Sequence, residues 1–435
     1  MDKTFTTPFK DHELRMAIPE ENEIGSLDVH TMPSLRDFTK SVKEALENPI
    51  GSDKLSDMVG PGKKVNILTG YYPYLPALGS VLVEALRKAG VGKEDITLLI
   101  AEGSHDHANY VKLLPERIGP FESRVGRVVK HDSDEPEGLR LVGVTRFGNA
   151  VWVNKLLIEA DVNIGIGDIT PGWYGWRGGG KMIIPGAASR DTISYNHRMC
   201  LSPKVRPGAA DDNPIRLDCE EAAQLAGLDM KVDLVLNPTY PYNDPLSRWE
   251  AAGVFAGDVV KEHREALQLA KKVWGTPMQK KADIVLFYGG TQVRNFVGGI
   301  YSSLLAASLA TKEDGIIIVA LSCSDGLRTV GEEDLRIYTT PLEDYMKQLL
   351  HWQFPKMCHV AIPYPHRKVL AEKRVFLVNE GMTQDEAKKL GVVYSTNSFE
   401  DALEEAFAEK GKDASIVRVP LTFNEHRGTS IALFS

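Results

Sequence analysis

Short apolar runs that end in polar or glycine-rich turns, each followed by a stretch of helical spacing, constrain this chain more than any other feature. "KKVNILTG" (63–70) reads as a β-strand, and "LPALGSVLVEALRKAG" (75–90) spaces its apolar residues as a helix does, up to a glycine stop. "DITLLIAEGSH" (95–105) and "ADVNIGIGDITPGWYG" (160–175) repeat the passage from strand to turn. Strands alternating with helices need crossover connections, so the expected fold class is α/β with parallel sheets. In such sheets the loops leaving the carboxyl ends of the strands carry the chemistry. "EGSHDH", "HDSDE" and "PGWYGWRGGGK" all fall in loops of this kind, so their histidines and lysine are expected to converge.

"GDVVKEHREALQLAKKVWGTP" (257–277) reads as an amphipathic helix ending at a Gly-Thr-Pro break, which marks a domain junction. A second series follows it: "ADIVLFYGG" (282–290), "YSSLLAASLATKEDG" (301–315) and "GIIIVALSCSDG" (315–326), extended by "KRVFLVNEG" (373–381) and "ASIVRVPLTF" (414–423). The expectation is two α/β domains with a cleft between them. Residues 1–275 would form an N-terminal cofactor-binding domain and 276–413 a C-terminal domain, with 414–435 equally able to return to the first. A length of 435 residues suits two domains.

The formal net charge of -8 leaves no basic excess for a phosphate backbone, so nucleic acid is not an expected partner. No run of 18 apolar residues is present, and "MDKTFTTPFKDHELRM" mixes acids and bases where a secretory signal needs an apolar core. The expectation is a cytoplasmic protein without a membrane partner. Cys200, Cys219, Cys323 and Cys358 form no CxxC pair, which points to buried reduced thiols rather than disulfides or a thiolate zinc site. The sequence does not set the oligomeric state.

"WYGWRGGGKMIIPG" (173–186) presents Lys181 behind Gly178, Gly179 and Gly180. A mononucleotide P-loop needs Ser or Thr after the lysine, and Met182 stands there. Two readings are left: a purely structural turn, or glycines that let a flat, bulky group approach the backbone with Lys181 poised to bind or bond to it. Sixteen residues on, "SYNHRMC" supplies His197, either an ordinary core or surface histidine or a ligand for a borderline metal such as nickel. "GSHDH" places His105 where a catalytic base would stand, with His107 able to share that role. His131 and Asp132 in "VKHDSDEPEG" read as solvent-exposed turn residues.

Taken in order, "GSH" after a strand, "HD" further on, "NKLLIEADVNIGIGDITPG", "GWRGGGKMIIPGAAS", "NH" and "ADIVLFYGG" resemble the family of nickel-pincer-dependent lactate racemase and its 2-hydroxy-acid racemase and epimerase relatives. The resemblance spans nearly the whole chain. It implies a two-domain α/β protein that holds nickel in a nickel-pincer nucleotide, a pyridinium-3-thioamide-5-thiocarboxylic acid mononucleotide. In the residues that match, Lys181 forms the covalent thioamide link, His197 completes nickel coordination, and His105 is general acid and base on the substrate hydroxyl. The implied chemistry is hydride shuttling, in which the cofactor takes the C2 hydride and returns it to either face of a 2-oxo intermediate.

The chain also departs from that family. A second catalytic histidine in a Pro-His pair is missing from "TPGWYGWRGGGK" (170–181), and Tyr174 is the candidate to replace it. The family's arginine-bearing loop is "TGYYPYLP" here, with Tyr72 near the expected arginine. The cationic substrate clamp of the second domain is replaced by "GGTQVRNFVGGIYSS" (289–303). Arg177 and Arg294 are the replacement cations for a substrate carboxylate. Tyr71, Tyr72, Tyr74, Trp173, Tyr174 and Trp176 suggest a roomier pocket, with Trp173 lining a wall. The expected function is therefore racemisation or epimerisation of a small-molecule 2-hydroxy acid larger than lactate, such as a sugar acid. The alternatives are another hydride-transferring isomerase on the same cofactor, or a non-catalytic relative that binds a small acid or nucleotide.

Overall fold

The computed structural model describes residues 1–9, 11–104, 118–238, 250–277, 280–288, 295–300, 303–353, 360–420 and 432–434. The chain opens with a hairpin, β1 (Asp2–Phe9) and β2 (His12–Pro19), and then β3 (Glu23–Ser26). β4 (Val65–Thr69) leads into helix α1 (Leu75–Lys88), and β5 (Ile96–Ile100) and β6 (Arg127–Lys130) follow. A two-stranded ribbon of β7 (Leu139–Val144) and β8 (Ala150–Asn154) precedes β9 (Val162–Asp168). The two-residue strands β10 (Pro171–Gly172) and β11 (Gly175–Trp176) come next, then α2 (Arg190–Arg198) and α3 (Pro214–Leu225). β12 (Met230–Leu236), β13 (Ala251–Gly257) and α4 (Val259–Trp274) end the first half. The second half holds β14 (Gly275–Pro277), β15 (Ala282–Tyr288), β16 (Thr311–Ala320), β17 (Arg374–Val378), β18 (Tyr394–Thr396), β19 (Ile416–Pro420) and β20 (Ala432–Phe434).

These strands build two six-stranded sheets, and the fold is α/β. The first has the order β13-β12-β9-β4-β5-β6, parallel except for the β12–β13 pair. The second has the order β18-β17-β16-β15-β19-β3 and is parallel throughout. β4, β5 and β9 are buried at every position, which is why they read as unbroken apolar runs: helices cover both faces of a parallel sheet. β19 lies in the second sheet, between β15 and β3, and β20 pairs with β14.

The first 26 residues depart from the expected organisation. The sequence reading placed them with the first half, yet β3 is an edge strand of the second sheet, and Phe9, Leu14, Met16 and Ile18 pack with Ile284, Ile316 and Phe376. Alternation in "HELRMAIP" marks a half-buried strand but does not say which sheet it covers. One apolar cluster takes in residues of both sheets, from Leu68 and Leu99 to Val285 and Leu377. Among the described residues no helix is long and apolar enough to cross a membrane.

Candidate active site at the carboxyl ends of the first sheet

Because β4, β5 and β9 run parallel, their carboxyl ends deliver Gly70–Tyr74, Glu102–Ser104 and Asp168–Lys181 to one edge of the sheet. β10 and β11 pair Pro171 with Trp176 and Gly172 with Gly175, so Trp173 and Tyr174 form the tip of a minimal hairpin. Both rings are buried, and they meet edge to face at 5.0 Å. Beyond the hairpin the chain turns through Gly178 and Gly179 into a short 3-10 turn, Gly179–Met182, that carries Lys181. The Lys181 Nζ stands 4.1 Å over the Tyr174 ring. On the other side of the pair, His197 of α2 meets Trp173 edge to face at 5.9 Å. An amine and an imidazole sixteen residues apart thus converge on one aromatic wall.

The three glycines are explained by close packing of protein. Gly178 and Gly179 have φ of 81° and 55°, the left-handed region that costs other residues strain. A Cβ at Gly178 would stand 2.8 Å from Ile169 Cγ1, one at Gly179 3.0 Å from an Arg216 nitrogen, and one at Gly180 2.5 Å from the Cys219 carbonyl oxygen. The reading that they were cleared for a flat ligand is corrected on that side: there the space is filled by α3, Ile169 and Arg216. Lys181 is the half-buried part of the turn, and its side chain leads away from this packing to Tyr174.

His197 is buried near the end of α2, and its Nδ1 lies 3.1 Å from the Asn196 Oδ1. The amide orientation of Asn196 is fixed independently, because its Nδ2 donates to the Ile215 carbonyl (3.1 Å) and to Asp218 Oδ2 (2.8 Å), both acceptors. Oδ1 therefore accepts from the His197 Nδ1–H, and the imidazole lone pair falls on Nε2, the tautomer a metal ligand needs. Asp218 also accepts from Thr145 and Asn149; burial nonetheless pushes its carboxyl above the usual range. Among the described residues, no three His, Cys, Asp or Glu side chains are grouped to hold a metal ion.

His131 corrects its sequence reading too. It is 2% exposed rather than part of a solvated turn: Nε2 donates to the Ala188 carbonyl at 2.9 Å, and Nδ1 then accepts from Asn154 Nδ2 at 3.2 Å. Asp132 is exposed. Burial depresses the His131 pKa, so the folded chain keeps this ring neutral. A depressed histidine contributes stability above the unfolded-state value near 6.5 and loses it as pH falls below that value. The urea midpoint is expected to fall between about pH 7.5 and pH 5.5, and His131→Gln to flatten part of that slope.

The remaining candidates divide. Tyr72 stacks on Tyr74 at 5.0 Å, and the Tyr74 hydroxyl donates to Asp168 Oδ1 at 2.7 Å, which ties the β4 loop to the end of β9. Arg177 is half-buried, with its main-chain N–H held by the Thr170 carbonyl. The Tyr71 hydroxyl, buried and near Glu102, has its pKa pushed up to about 12. Cys200, Cys219 and Cys323 are free and buried; burial raises all three thiols, Cys219 to about 12. His105, His107, Arg294 and Cys358 lie outside the described residues. Ser104, which precedes His105, lines a polar pocket of about 330 Å³ with His131, Ser133, Asp134 and Arg190, the residue that opens α2. Sequence reasoning missed Asn196 and Asp218 as supports of His197. It also missed the buried Arg216, Lys231, Asp233, Glu262 and His263 behind the glycine turn.

Comparison with known proteins adds independent findings. A family model described as the lactate racemase N-terminal domain matches residues 9–208. A lactate racemase of Thermoanaerobacterium thermosaccharolyticum is 30% identical over 292 residues, 66% of this chain and 66% of that protein. A lactate racemase of Lactiplantibacillus plantarum is 24% identical over 424 residues, 95% of this chain and 97% of that protein. The apoprotein structure of the Thermoanaerobacterium thermosaccharolyticum lactate racemase superposes with a TM-score of 0.78 at 25% identity, covering 100% of both chains. A Thermotoga maritima protein shares the fold with a TM-score of 0.58 at 18% identity, over 93% of this chain and 100% of that one. With the strand order, the Lys181 turn and the Asn196–His197 pair in place, these matches assign the chain to the lactate racemase family, a family of isomerases.

Proposed function

We propose that this chain racemises or epimerises a 2-hydroxy acid larger than lactate, with a sugar acid as the leading class, using a nickel-pincer nucleotide bound to Lys181. The observation that carries this reading is the convergence of Lys181 and His197 on the Trp173–Tyr174 pair. The residues fit the cofactor: a primary amine stands on a turn braced from behind, and an imidazole is held in the tautomer with its lone pair on Nε2. Lys181 would hold the nucleotide and His197 would ligate its nickel. When bound, the cofactor supplies a carbon centre that accepts and returns a hydride.

The chain's own residues do the rest. His105 takes the proton of the substrate hydroxyl and gives it back. Arg177 and Arg294 offer planar guanidinium forks to the substrate carboxylate, in place of the family's clamp. Trp173 and Tyr72 wall the pocket and exclude water, and Tyr174 is the candidate second proton donor. The half-buried Tyr72, stacked on Tyr74, and the half-buried Glu102 just beyond β5 suit a substrate with several hydroxyls better than lactate. Residues 27–275 would form the cofactor-binding unit, with the first 26 belonging to the second unit and substrate entering between the two. We place the protein in the cytoplasm.

The test is intact mass and metal content after production beside the cofactor's biosynthetic enzymes. A mass increment on Lys181 with about one nickel per chain is expected, followed by C2 deuterium exchange in a screened set of 2-hydroxy acids. Unmodified Lys181, in a preparation where a lactate racemase made the same way does acquire the cofactor, would overturn the reading.

A further inference from the structure

Five ionisable side chains stand behind the glycine turn and take no part in the chemistry above. Arg216 of α3, Lys231 and Asp233 of β12, and Glu262 and His263 of α4 are each 0% exposed. Three of them grip consecutive main-chain groups of the turn. Asp233 Oδ2 accepts from the Gly179 N–H at 2.8 Å. Arg216 Nη1 donates to the carbonyls of Gly178 (2.8 Å) and Trp176 (3.3 Å). His263 Nε2 donates to the Arg177 carbonyl at 2.9 Å.

The other Asp233 oxygen pairs with Lys231. Burial and then Asp233 hold the Glu262 carboxyl well above its usual range, while burial and then Arg216 hold His263 well below its own. Burial thus favours the neutral form of each, and neither Glu262 oxygen has a hydrogen-bond partner among the described residues. Apolar side chains could fill this volume at lower desolvation cost, so stability alone does not account for the cluster. What it fixes is the conformation of two left-handed glycines, the least restrained residues available, just before Lys181.

We propose that Asp233 is a positioning residue for Lys181: by holding the Gly179 amide, it sets the direction in which the turn presents the amine to Tyr174. The proposal rests on the reading of Lys181 as the cofactor's anchor, but its test needs no cofactor. Without the carboxylate, the Gly179 N–H loses its described acceptor while Arg216 keeps the Gly178 carbonyl and His263 the Arg177 carbonyl, and Lys181 swings away from the ring.

The experiment uses the full-length apoprotein and compares Asp233→Ala with Val232→Ala, a core change on the same strand that does not touch the turn. Two readouts are taken by peptide mass spectrometry: amide hydrogen exchange over residues 176–182, and acetylation of Lys181 by sulfo-N-hydroxysuccinimide acetate. In Asp233→Ala, exchange of that peptide is expected to speed up about tenfold and acetylation about threefold, as loss of one buried hydrogen bond implies, with both near parental values in Val232→Ala. Should Asp233→Ala fail to fold, the double variant Lys231→Met, Asp233→Leu carries the test, because it removes the buried charge pair together and leaves no acceptor for the Gly179 N–H. Unchanged acetylation and exchange in a folded Asp233 variant, or equal changes in Val232→Ala, would overturn the assignment. Absence of a cofactor adduct on parental Lys181 would instead sink the anchoring role and leave the labelling result standing.

Discussion

Lys181→Ala is expected to erase both the covalent adduct and C2 exchange while leaving thermal unfolding almost unmoved. Its side chain is half-buried and leans on the Tyr174 ring rather than filling the core. A cation–π contact of this exposure is worth about 0.5–2 kcal/mol, a small part of the stability of a chain this size. The proposed covalent link would have no such substitute, because Lys181 carries the one side-chain amine between residues 176 and 186. Lys181→Arg sharpens the result: guanidinium keeps a cation over the ring but stays charged and non-nucleophilic, so it should retain the contact and still fail to load. Intact mass, nickel content and calorimetry on the three proteins decide it. An adduct in the alanine variant would move the tether elsewhere, and a collapse in melting temperature would make Lys181 a structural residue.

Much of the fold was legible because parallel strands covered on both faces leave a local mark. β4, β5, β9, β15, β17 and β19 all lie within runs recognised from apolar content and turn residues alone. α4 ends at Trp274, before the Gly-Thr-Pro break read as its stop. The N-terminal hairpin was misplaced because its partners are remote: Asn22 donates to carbonyls of Lys412 and Ala414, some 390 residues away, and no local pattern encodes that pairing. In the site, residue types and the family resemblance pointed to Lys181 and His197, and the Trp173–Tyr174 tip is where the two meet.

The glycines were legible as a special turn, though their cause, close approach to Ile169, the Arg216 side chain and the Cys219 main chain of α3, is set by tertiary packing that no local pattern marks. The buried charges did leave a signal. Lys231 and Asp233 stand two apart in "MKVDLVL", hence on one face of a strand that is otherwise apolar, and Arg216 and Glu220 stand one helical turn apart. Paired charges in a buried strand ask for a partner, and here part of that partner is the backbone of the Lys181 turn.

That pair also carries the largest expected change in stability. Lys231→Met keeps most of the side chain's volume and removes only its charge, leaving the Asp233 carboxylate fully buried with the Gly179 amide as its remaining described partner. Removing one member of a buried ion pair typically costs about 3–5 kcal/mol, since the survivor keeps its desolvation penalty without the attraction that offset it. Glu262 does not offset the loss, because it offers Asp233 no cation in exchange. Adding Asp233→Asn should recover most of the deficit: the orphan charge is gone, and an amide oxygen can still accept from Gly179. Urea unfolding of the four proteins closes the double-mutant cycle, with a coupling of about 2 kcal/mol or more expected between the two positions. If Lys231→Met costs less than about 1 kcal/mol, the pair does not carry a buried charge balance. If the double variant is as unstable as the single, the loss comes from packing, and the ionic brace behind Lys181 has been misread.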